Sequence, residues 1–316
     1  MRILITGGSG SLGHALVPVL LKDPAVHRVL VYSRDEVKQD LMREEFPDPK
    51  LDCLLGDVRD VERCKQAFRG CTHVIHAAAL KRITHSVYSP SEMRQTNVNG
   101  TANVIRAAWA AGVKRLVVVS SDKACHPTNL YGASKFMAEQ EAIQSNSYTY
   151  PAGTEILAVR YGNVWGARGS VGPVWKAAIA AGEPVKVTDW RMTRFLMTLD
   201  EAAVWVLRAM LYGRAGEIWV PKLTAMGLET LWEVVGEPAY LLTGWRPGGE
   251  KLHEMLLNDE EIARVEEDDT GYRVIPSHCT WRTPDWMPTP QLGVQYRSDR
   301  VSTVSPERLR DLWASI

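Results

Sequence analysis

The feature that most constrains the fold is a regular alternation of short β-branched runs with helical patterns over the first half of the chain. Six such runs follow one another between residues 2 and 162: RILIT, RVLVYS, LDCLLG, HVIHAA, RLVVVSS and EILAVRYG. Strands separated by helices pair in parallel, and the helices cover both faces of the sheet. The alternation therefore predicts an α/β fold with a doubly wound parallel sheet.

A glycine-rich turn, TGGSGSLG, directly follows the first predicted strand. Gly7, Gly10 and Gly13 stand where the chain must turn tightly, approach a pyrophosphate closely and pack a helix on the sheet. Backbone amides at the start of that helix, from Ser11 and Leu12, can donate to a phosphate. The turn predicts a Rossmann-type dinucleotide site.

The expected domain organisation follows from the place of this site. Residues 1–165 are predicted to form the dinucleotide-binding domain and to carry the catalytic residues. Residues 166–316 are predicted to form mainly a smaller α/β substrate-binding domain, with some chain returning to the first domain.

The end of the second strand favours NADP over NAD. An acidic side chain there binds the ribose hydroxyls of NAD, whereas this chain has Ser33 followed by Arg34. A hydroxyl and a guanidinium suit a 2′-phosphate, with Lys38 as a further cation. Asp35 leaves NAD as the less favoured alternative, and Arg34 and Lys38 could also be solvated residues at the start of a helix.

Further cofactor contacts are expected where the third and fourth strands end. Asp57, beside Val58, could accept a hydrogen bond from the adenine amino group or could cap the next helix. Asn97 could steady the active-site helix or satisfy nearby backbone groups. Small residues after the fourth strand would let a cofactor lie across the sheet edge, or would pack against a helix: Ala77, Ala78 and Ala79.

The segment SSDKACHPTNLYGASK follows the fifth strand, at the sheet edge where ligands bind. Tyr131 and Lys135 are four residues apart, so an ammonium on the same helix face would lower the pKa of the phenol. A phenolate above a nicotinamide can take a hydroxyl proton while a hydride leaves the same carbon, and Ser121 could hydrogen-bond that hydroxyl. Asp122 and Lys123 could be a second catalytic pair or an ordinary turn.

The totals exclude several classes of protein. The 37 basic and 37 acidic residues give a net charge of zero, so nothing indicates nucleic acid or an anionic membrane as a partner. No run of about 18 apolar residues occurs, and a soluble cytoplasmic protein is expected. The five cysteines are scattered, which argues against a disulfide framework and a structural zinc site.

The motifs resemble those of the extended short-chain dehydrogenase/reductases and, more narrowly, the UDP-N-acetylglucosamine 4,6-dehydratases of bacterial surface-sugar biosynthesis. The resemblance runs from residue 1 to about residue 257 and is loose after it. The segments that carry it are YSRDE, AAALK, SSDKACHPTNLYGASK, RYGNVWGARGSVGP, VTDWRMTRFLMTLDEA, GEIWVPK and RPGGEKLHE.

This resemblance implies loss of water across C5 and C6 of UDP-N-acetylglucosamine, with tightly bound NADP carrying the hydride. Tyr131 would take the C4 hydroxyl proton beside Lys135, Lys123 would be the base at C5, and Asp122 the acid at C6. Tyrosine at position 131 implies inversion at C5. The resemblance also implies a homo-oligomer, either a dimer or a hexamer.

Other functions remain open at this point. A 4-epimerase would not need the Asp122–Lys123 pair, whereas a C5-retaining dehydratase would, and a non-catalytic NADP sensor would tolerate loss of the tyrosine and lysine. Burial of the pair would lower the pKa of the lysine and raise that of the aspartate towards working values.

Substrate contacts are expected mainly from the second half of the chain. The resemblance implies Asn163 as an anchor for a phosphate or sugar, in a glycine-rich loop that also holds Arg168; alternatively, Asn163 could be a structural residue of that loop. Arg191 and Arg194 could together meet a diphosphate, or could pair with Asp189 or Asp200 instead.

Three further residues complete the predicted substrate site. Thr193 could add a hydroxyl, and Lys81, in AAALK, is expected to contact both cofactor and substrate. The resemblance suggests that Glu250 contacts the uridine or its ribose. The segment RPGGEKLHE has one glycine more than the RPGEKLHE of the family, so its loop could be displaced.

Overall fold

The computed structural model describes residues 1–167, 169–277, 281, 293 and 295–316. Within them the central element is a nine-stranded sheet. Seven of its strands are mutually parallel: β1 (Arg2–Thr6), β2 (Arg28–Ser33), β3 (Leu51–Leu55), β4 (His73–His76), β5 (Arg115–Val119), β6 (Glu155–Val159) and β10 (Ile218–Pro221). Two antiparallel strands complete one edge: β14 (Val265–Glu267) and β15 (Gly271–Val274).

The order across the sheet is β14-β15-β10-β6-β5-β4-β1-β2-β3. The chain runs outward from β1 to β3 and returns to place β4 on the other side of β1. The carboxyl ends of β1 and β4 therefore lie side by side at the point where the strand order reverses, which is where such sheets bind ligands. The predicted doubly wound parallel sheet is confirmed.

Helices cover both faces of this sheet and bury its apolar side chains. Helices α1 (Ser11–Lys22) and α10 (Leu199–Tyr212) pack on one face. The other face is covered by α3 (Val61–Phe68), α6 (Gly100–Ala110) and α7 (Leu130–Gln144). In the described part of the chain, no helix combines the length and apolar character needed to span a bilayer.

The structure describes further helices besides these five. They are α2 (Glu36–Glu45), α4 (Ile83–Tyr88), α5 (Pro90–Arg94), α8 (Asn146–Thr149), α9 (Val171–Ala180), α11 (Leu228–Val234), α12 (Asp259–Ile262) and α13 (Pro306–Ala314). A π-helical turn, Gln95–Asn99, joins α5 to α6, and a 3₁₀ turn, Tyr150–Ala152, follows α8.

Small sheets form in the second half. Strands β11 (Thr224–Gly227), β9 (Thr193–Met197) and β7 (Asn163–Val164) make one sheet in that order. Two strand pairs accompany it: β8 (Val185–Val187) with β12 (Tyr240–Leu242), and β13 (Met255–Leu257) with β16 (Tyr296–Arg297). The second half therefore builds its own sheets and also adds β10, β14 and β15 to the main one.

Candidate functional site

The glycine turn after β1 leaves no room for side chains. A Cβ atom on Gly7 would lie 2.8 Å from Cα of Ala78, and one on Gly13 would lie 1.7 Å from the carbonyl oxygen of Gly8. Gly7 also has a φ of +66°, which side chains disfavour. The turn is thus closely packed on the loop after β4 and on α1. The other predicted residues of this turn lie at the start of that helix: Gly10, Ser11 and Leu12.

Arg34 and Asp57 approach each other from the ends of β2 and β3. Arg34 Nη1 lies 3.5 Å from Asp57 Oδ2, and half of the arginine side chain is exposed. Burial raises the pKa of Asp57, but hydrogen bonds from Arg59 and the two guanidinium charges outweigh burial and lower it. The cap of α3 is Asp60, which accepts from the Arg63 N–H at 2.9 Å, so the alternative that Asp57 is the cap is wrong.

The other polar residues at the end of β2 form hydrogen bonds or ion pairs within the protein. The Ser33 hydroxyl accepts from Gln39 Nε2 at 2.9 Å. Asp35 is the N-cap of α2, where its carboxylate accepts from the Lys38 N–H at 3.1 Å and forms an ion pair with the Lys38 ammonium. The side chain of Arg34 is therefore the most accessible cation at this strand end among those predicted.

Asn97 connects the loop after β4 to helix α7. Its Oδ1 accepts from the Leu80 N–H at 2.8 Å, while its Nδ2 donates to the Leu80 carbonyl at 2.9 Å and to Ser134 Oγ at 3.0 Å. The buried amide thus satisfies the Leu80 backbone and also reaches α7, so the hydrogen bonds that both alternatives require are present, while a contact with the cofactor stays a prediction. Other predicted residues lie in the same loop or are packed beneath α6: Ala77, Ala78, Ala79, Lys81 and Val58.

Tyr131 and Lys135 lie buried on the first turns of α7. Burial raises the pKa of Tyr131, and the charge of Lys123 and the hydroxyl of Ser121 only partly oppose that rise. The largest opposing charge is thus that of Lys123 and not, as the helical spacing predicts, that of Lys135. Lys135 donates to the carbonyl of Val119, and burial lowers its pKa to about 8.

Asp122 and Lys123 form a close ion pair at the end of β5. Asp122 Oδ1 accepts from Lys123 Nζ at 3.0 Å and from Ser121 Oγ at 2.6 Å, and Asp122 is 1% exposed. Lys123 Nζ also lies 3.2 Å from Glu254 Oε1. Burial lowers the pKa of Lys123, but the two carboxylates outweigh burial and raise it. This rise differs from the expected fall because two anions, not one, surround the ammonium.

Glu254 is a site residue that the sequence reading missed. It is 2% exposed and stands 3.3 Å from Lys251 Nζ and 3.9 Å from Arg194 Nε. Burial raises its pKa, but Lys123, Arg194 and Lys251 together lower the pKa to about 2. Its position could have indicated a site residue, because it ends the segment RPGGEKLHE four residues after Glu250 and directly precedes a strand.

A small cavity of about 40 Å³ opens onto Lys123. Its wall contains an Asn163 Oδ1 atom that is buried and has no hydrogen-bond partner among the described residues. The enclosed space is small, since one water occupies about 30 Å³ in the liquid. The lining residues are Ile83, Lys123, Thr128, Asn129, Asn163, Arg194, Arg246, Glu250, Lys251 and Glu254.

The two arginines predicted to act together are separated. Arg191 lies in a turn, is 73% exposed and pairs with Asp189 at 2.7 Å, as the alternative prediction had it. Arg194, in the strand that follows, lines the cavity. The second guanidinium at the cavity comes from Arg246, which forms an ion pair with Glu250.

Three other predicted substrate residues are not among the described residues that line the cavity. The Thr193 hydroxyl lies 2.9 Å from His253 Nδ1 and 2.7 Å from Ser298 Oγ. Lys81 lies in the loop between β4 and α4. Arg168 lies outside the described residues.

The additional glycine in RPGGEKLHE is accommodated by backbone conformation. Gly248 and Gly249 have φ values of +100° and +87°, in the region that favours glycine. The Gly249 carbonyl accepts from Asn129 Nδ2 at 2.9 Å, and Asn129 also caps α7. The loop is therefore anchored to the active-site helix, and Glu250 lines the cavity.

Comparisons with known proteins point to one family and two activities. A family model described as "Polysaccharide biosynthesis protein" matches residues 3–276. A Campylobacter jejuni protein named UDP-N-acetylglucosamine 4,6-dehydratase (inverting) is 39% identical over 278 residues, covering 87% of this chain and 83% of that protein. A Rickettsia massiliae protein named UDP-glucose 4-epimerase is 38% identical over 280 residues, covering 86% of this chain and 82% of that protein.

A solved structure extends the similarity over nearly the whole chain. The X-ray structure of Pen from Bacillus thuringiensis aligns with a TM-score of 0.90 at 35% identity, covering 99% of this chain and 97% of that one. The resemblance read from the motifs is thus confirmed at the level of sequence and fold. Dehydratase and epimerase names occur at almost the same identity, so the choice between these activities depends on the site.

Proposed function

The chain belongs to the polysaccharide biosynthesis protein family, and on that premise we propose that it removes water from UDP-N-acetylglucosamine to give a UDP-2-acetamido-2,6-dideoxy-hexos-4-ulose. The observation that carries the proposal is the Asp122–Lys123 ion pair, in which Asp122 is buried and Lys123 lines the cavity, with both charges acting on Tyr131. A 4-epimerase needs a proton acceptor at the C4 hydroxyl but has no use for a second acid and base. The pair therefore favours dehydration.

The pair can supply both proton transfers that dehydration needs, namely removal of the C5 proton and protonation of the leaving C6 hydroxyl. Lys123 Nζ donates to Asp122 Oδ1 at 3.0 Å, so a proton has a direct path between them. Transfer of that proton from Lys123 Nζ to Asp122 Oδ1 converts the ion pair into a neutral amine and a carboxylic acid. The amine can take the C5 proton, which the C4 ketone makes acidic, and the acid can protonate the departing C6 hydroxyl.

The glycine turn fits a dinucleotide, because Gly7 and Gly13 leave backbone rather than side chains where a pyrophosphate would approach. When bound, the nicotinamide supplies the hydride acceptor at C4 and the hydride donor at C6. Tyr131 would accept the C4 hydroxyl proton, with Lys135 as the neighbouring cation four residues later on the same helix.

We assign NADP rather than NAD from the end of β2. The exposed guanidinium of Arg34 can donate to a 2′-phosphate, while the Asp35 carboxylate is engaged in capping α2. Replacing Arg34 with alanine should weaken NADP binding by about tenfold or more, since hydrogen bonds to charged groups contribute about 1.5–3 kcal/mol. NAD binding, measured by the same fluorescence titration, should change little; equal losses for both cofactors would contradict the assignment.

The cavity offers a site for the diphosphate of the substrate. Arg194, Arg246 and Lys251 line it, and guanidinium groups bind phosphates through forked, charge-assisted hydrogen bonds. Arg246 would exchange Glu250 for a phosphate oxygen, which would also enlarge the space. The unpaired Asn163 Oδ1 would accept from a substrate hydroxyl.

The proposal is tested by incubating the purified protein with UDP-N-acetylglucosamine in D₂O. Dehydration predicts loss of one water, gain of one deuterium at C5 and a 6-methyl signal in the proton NMR spectrum. The C5 coupling then separates inversion, which Tyr131 favours by family resemblance, from retention.

Two other outcomes would contradict dehydration. A UDP-N-acetylgalactosamine product without deuterium would indicate an epimerase, the activity named for the Rickettsia relative. Absence of turnover in protein shown to bind both cofactor and UDP-sugar would indicate a non-catalytic binding protein.

A further inference from the structure

Lys123 is held by two carboxylates that come from distant parts of the chain. Asp122 is its neighbour in sequence, whereas Glu254 precedes β13. The Glu254 backbone is fixed, because its N–H donates to Ser298 Oγ at 2.9 Å and its carbonyl accepts from the Ser298 N–H at 2.9 Å. A rigid, buried carboxylate thus lies 3.2 Å from the ammonium of a long side chain.

We propose that Glu254 is a positioning residue, one that fixes Lys123 Nζ beside Asp122 in the ammonium form and so sets the pH range in which Lys123 can act as a base. This inference rests on the proposed function, which assigns Lys123 the C5 proton. It adds a residue that touches Lys123 but is assigned no contact with the sugar.

The geometry explains why a second carboxylate is needed. A lysine side chain has four methylenes and loses substantial rotamer freedom when it is held in one position. Asp122 and Lys123 are neighbours in one loop. Their contact therefore does not fix the amine relative to the rest of the site. Glu254 belongs to a separate segment that also contacts Arg194 and Lys251. It therefore fixes the amine relative to the cavity wall.

The charges around Lys123 determine the direction of the effect. Asp122 and Glu254 favour the ammonium, whereas burial and Arg194 oppose it, and Tyr131 favours it when ionised. Lys251 lies 3.3 Å from the other oxygen of Glu254 and weakens the influence of that carboxylate. Without the Glu254 charge, Asp122 alone opposes burial and two nearby cations, so the amine should lose its proton more readily.

The test is trace acetylation of the full chain with its cofactor bound, comparing wild type with Glu254→Gln. Acetic anhydride reacts with the neutral amine, and mass spectrometry gives the rate at Lys123 relative to an exposed lysine such as Lys186. An opposite charge within about 4–6 Å shifts a pKa by roughly 1–3 units, so the variant should react about 10- to 1000-fold faster at the same pH.

Two further variants control this measurement. Glu250→Gln removes another buried carboxylate of the cavity, but one that pairs with Arg246, and should leave the Lys123 rate unchanged. Glu254→Asp keeps the charge and should restore most of the wild-type rate. Thermal unfolding checks that each variant is folded. A folded Glu254→Gln protein with the wild-type Lys123 rate would overturn the inference.

A turnover measurement separates this inference from the proposed function. If wild type incorporates deuterium at C5, the pH profile of that rate should shift to lower pH in Glu254→Gln, in step with the acetylation result. If wild type does not dehydrate the sugar, the proposed function fails, while acetylation still decides whether Glu254 controls Lys123. Dehydration by wild type, with an unshifted profile and acetylation rate in the variant, would refute only the role of Glu254.

Discussion

Two clusters of charged side chains lie near helix α7, one of them buried throughout and the other beside the cavity, where Arg246 is exposed. In the closed cluster, Arg160 contacts Glu139 at 2.5 Å and Glu261 at 2.7 Å, and its remaining donors include one to the Leu256 carbonyl at 2.8 Å. All three charged residues are buried. This cluster ties α7 to β6 and to α12, and none of its members lines the cavity.

The open cluster has more cations than its own carboxylates balance. The cations are Lys123, Arg194, Arg246 and Lys251, and the carboxylates are Asp122, Glu250 and Glu254. It faces a cavity whose wall holds an amide oxygen, Asn163 Oδ1, that has no hydrogen-bond partner in the part of the chain that the structure describes. The closed cluster is engaged within the protein and holds structure together, whereas an excess of cations beside a cavity indicates a site for an anionic ligand.

The largest expected effect tests the open cluster through its central ammonium. Lys123→Met should lower kcat for dehydration by about 10²- to 10⁴-fold, the usual contribution of a general acid or base. NADP affinity should stay near the wild-type value, because the cofactor turn lies on other elements. Product formation followed by NMR and cofactor titration measure the two quantities, and a variant that loses both equally would show general damage.

A substitution in the closed cluster should lower the stability of the fold far more than the rate of the reaction. Arg160→Met removes the guanidinium that pairs with both Glu139 and Glu261, and breaking a buried ion pair in this way typically costs about 3–5 kcal/mol. The urea midpoint should fall accordingly, while kcat per folded molecule should change far less than in Lys123→Met. An unchanged midpoint would remove the distinction between the clusters.

The next effect compares a cavity arginine with a surface one. Arg246→Ala should weaken UDP binding by roughly 10- to 100-fold, since hydrogen bonds to charged groups contribute about 1.5–3 kcal/mol. Arg191→Ala is the matched control, because Arg191 is exposed and pairs with Asp189 at the surface. Isothermal titration with UDP should detect the first loss and little change in the second; the reverse result would return Arg191 to the diphosphate site.

The smallest effect concerns a buried group that stays neutral. His76 contacts Thr6 Oγ1 at 2.7 Å and Thr101 Oγ1 at 2.9 Å, and burial, assisted by the charge of Lys135, lowers its pKa to about 3. The unfolded chain protonates this histidine near pH 6.5, so the free energy of unfolding should decrease as the pH falls from about 6.5 towards 3.

His76→Asn should remove that contribution, which is at most about 1.4 kcal/mol per pH unit. Urea unfolding at several pH values measures the slope. His73, whose pKa burial also lowers, to about 4, should leave a residual slope in the variant. An identical slope in both proteins would mean that His76 does not contribute.

The parts of the molecule that the sequence predicted are those fixed by local chain geometry. The alternation of strands with helices follows from the periodicity of side chains, and the glycine turn from positions where no Cβ fits, as at Gly7 and Gly13. The segment from Ser121 to Lys135 could be placed at one strand end because it is continuous. Its residues therefore lie together because they are close in sequence.

The parts that the sequence did not predict depend on contacts between distant segments. Glu254 and Arg246 reach the cavity from the segment before β13, and the three-residue spacing of Arg191 and Arg194 did not bring them together, since a turn separates the first from the strand of the second.

The sequence by itself thus determined the doubly wound sheet, the dinucleotide turn and which residues stand at the end of β5. Only the tertiary structure decided the protonation of that site, because the pKa of Lys123 is the balance between burial and two carboxylates, one of them Glu254. Spacing along the chain specifies which residues are available, but the energy of a charge depends on every group that folding brings within a few ångströms of it.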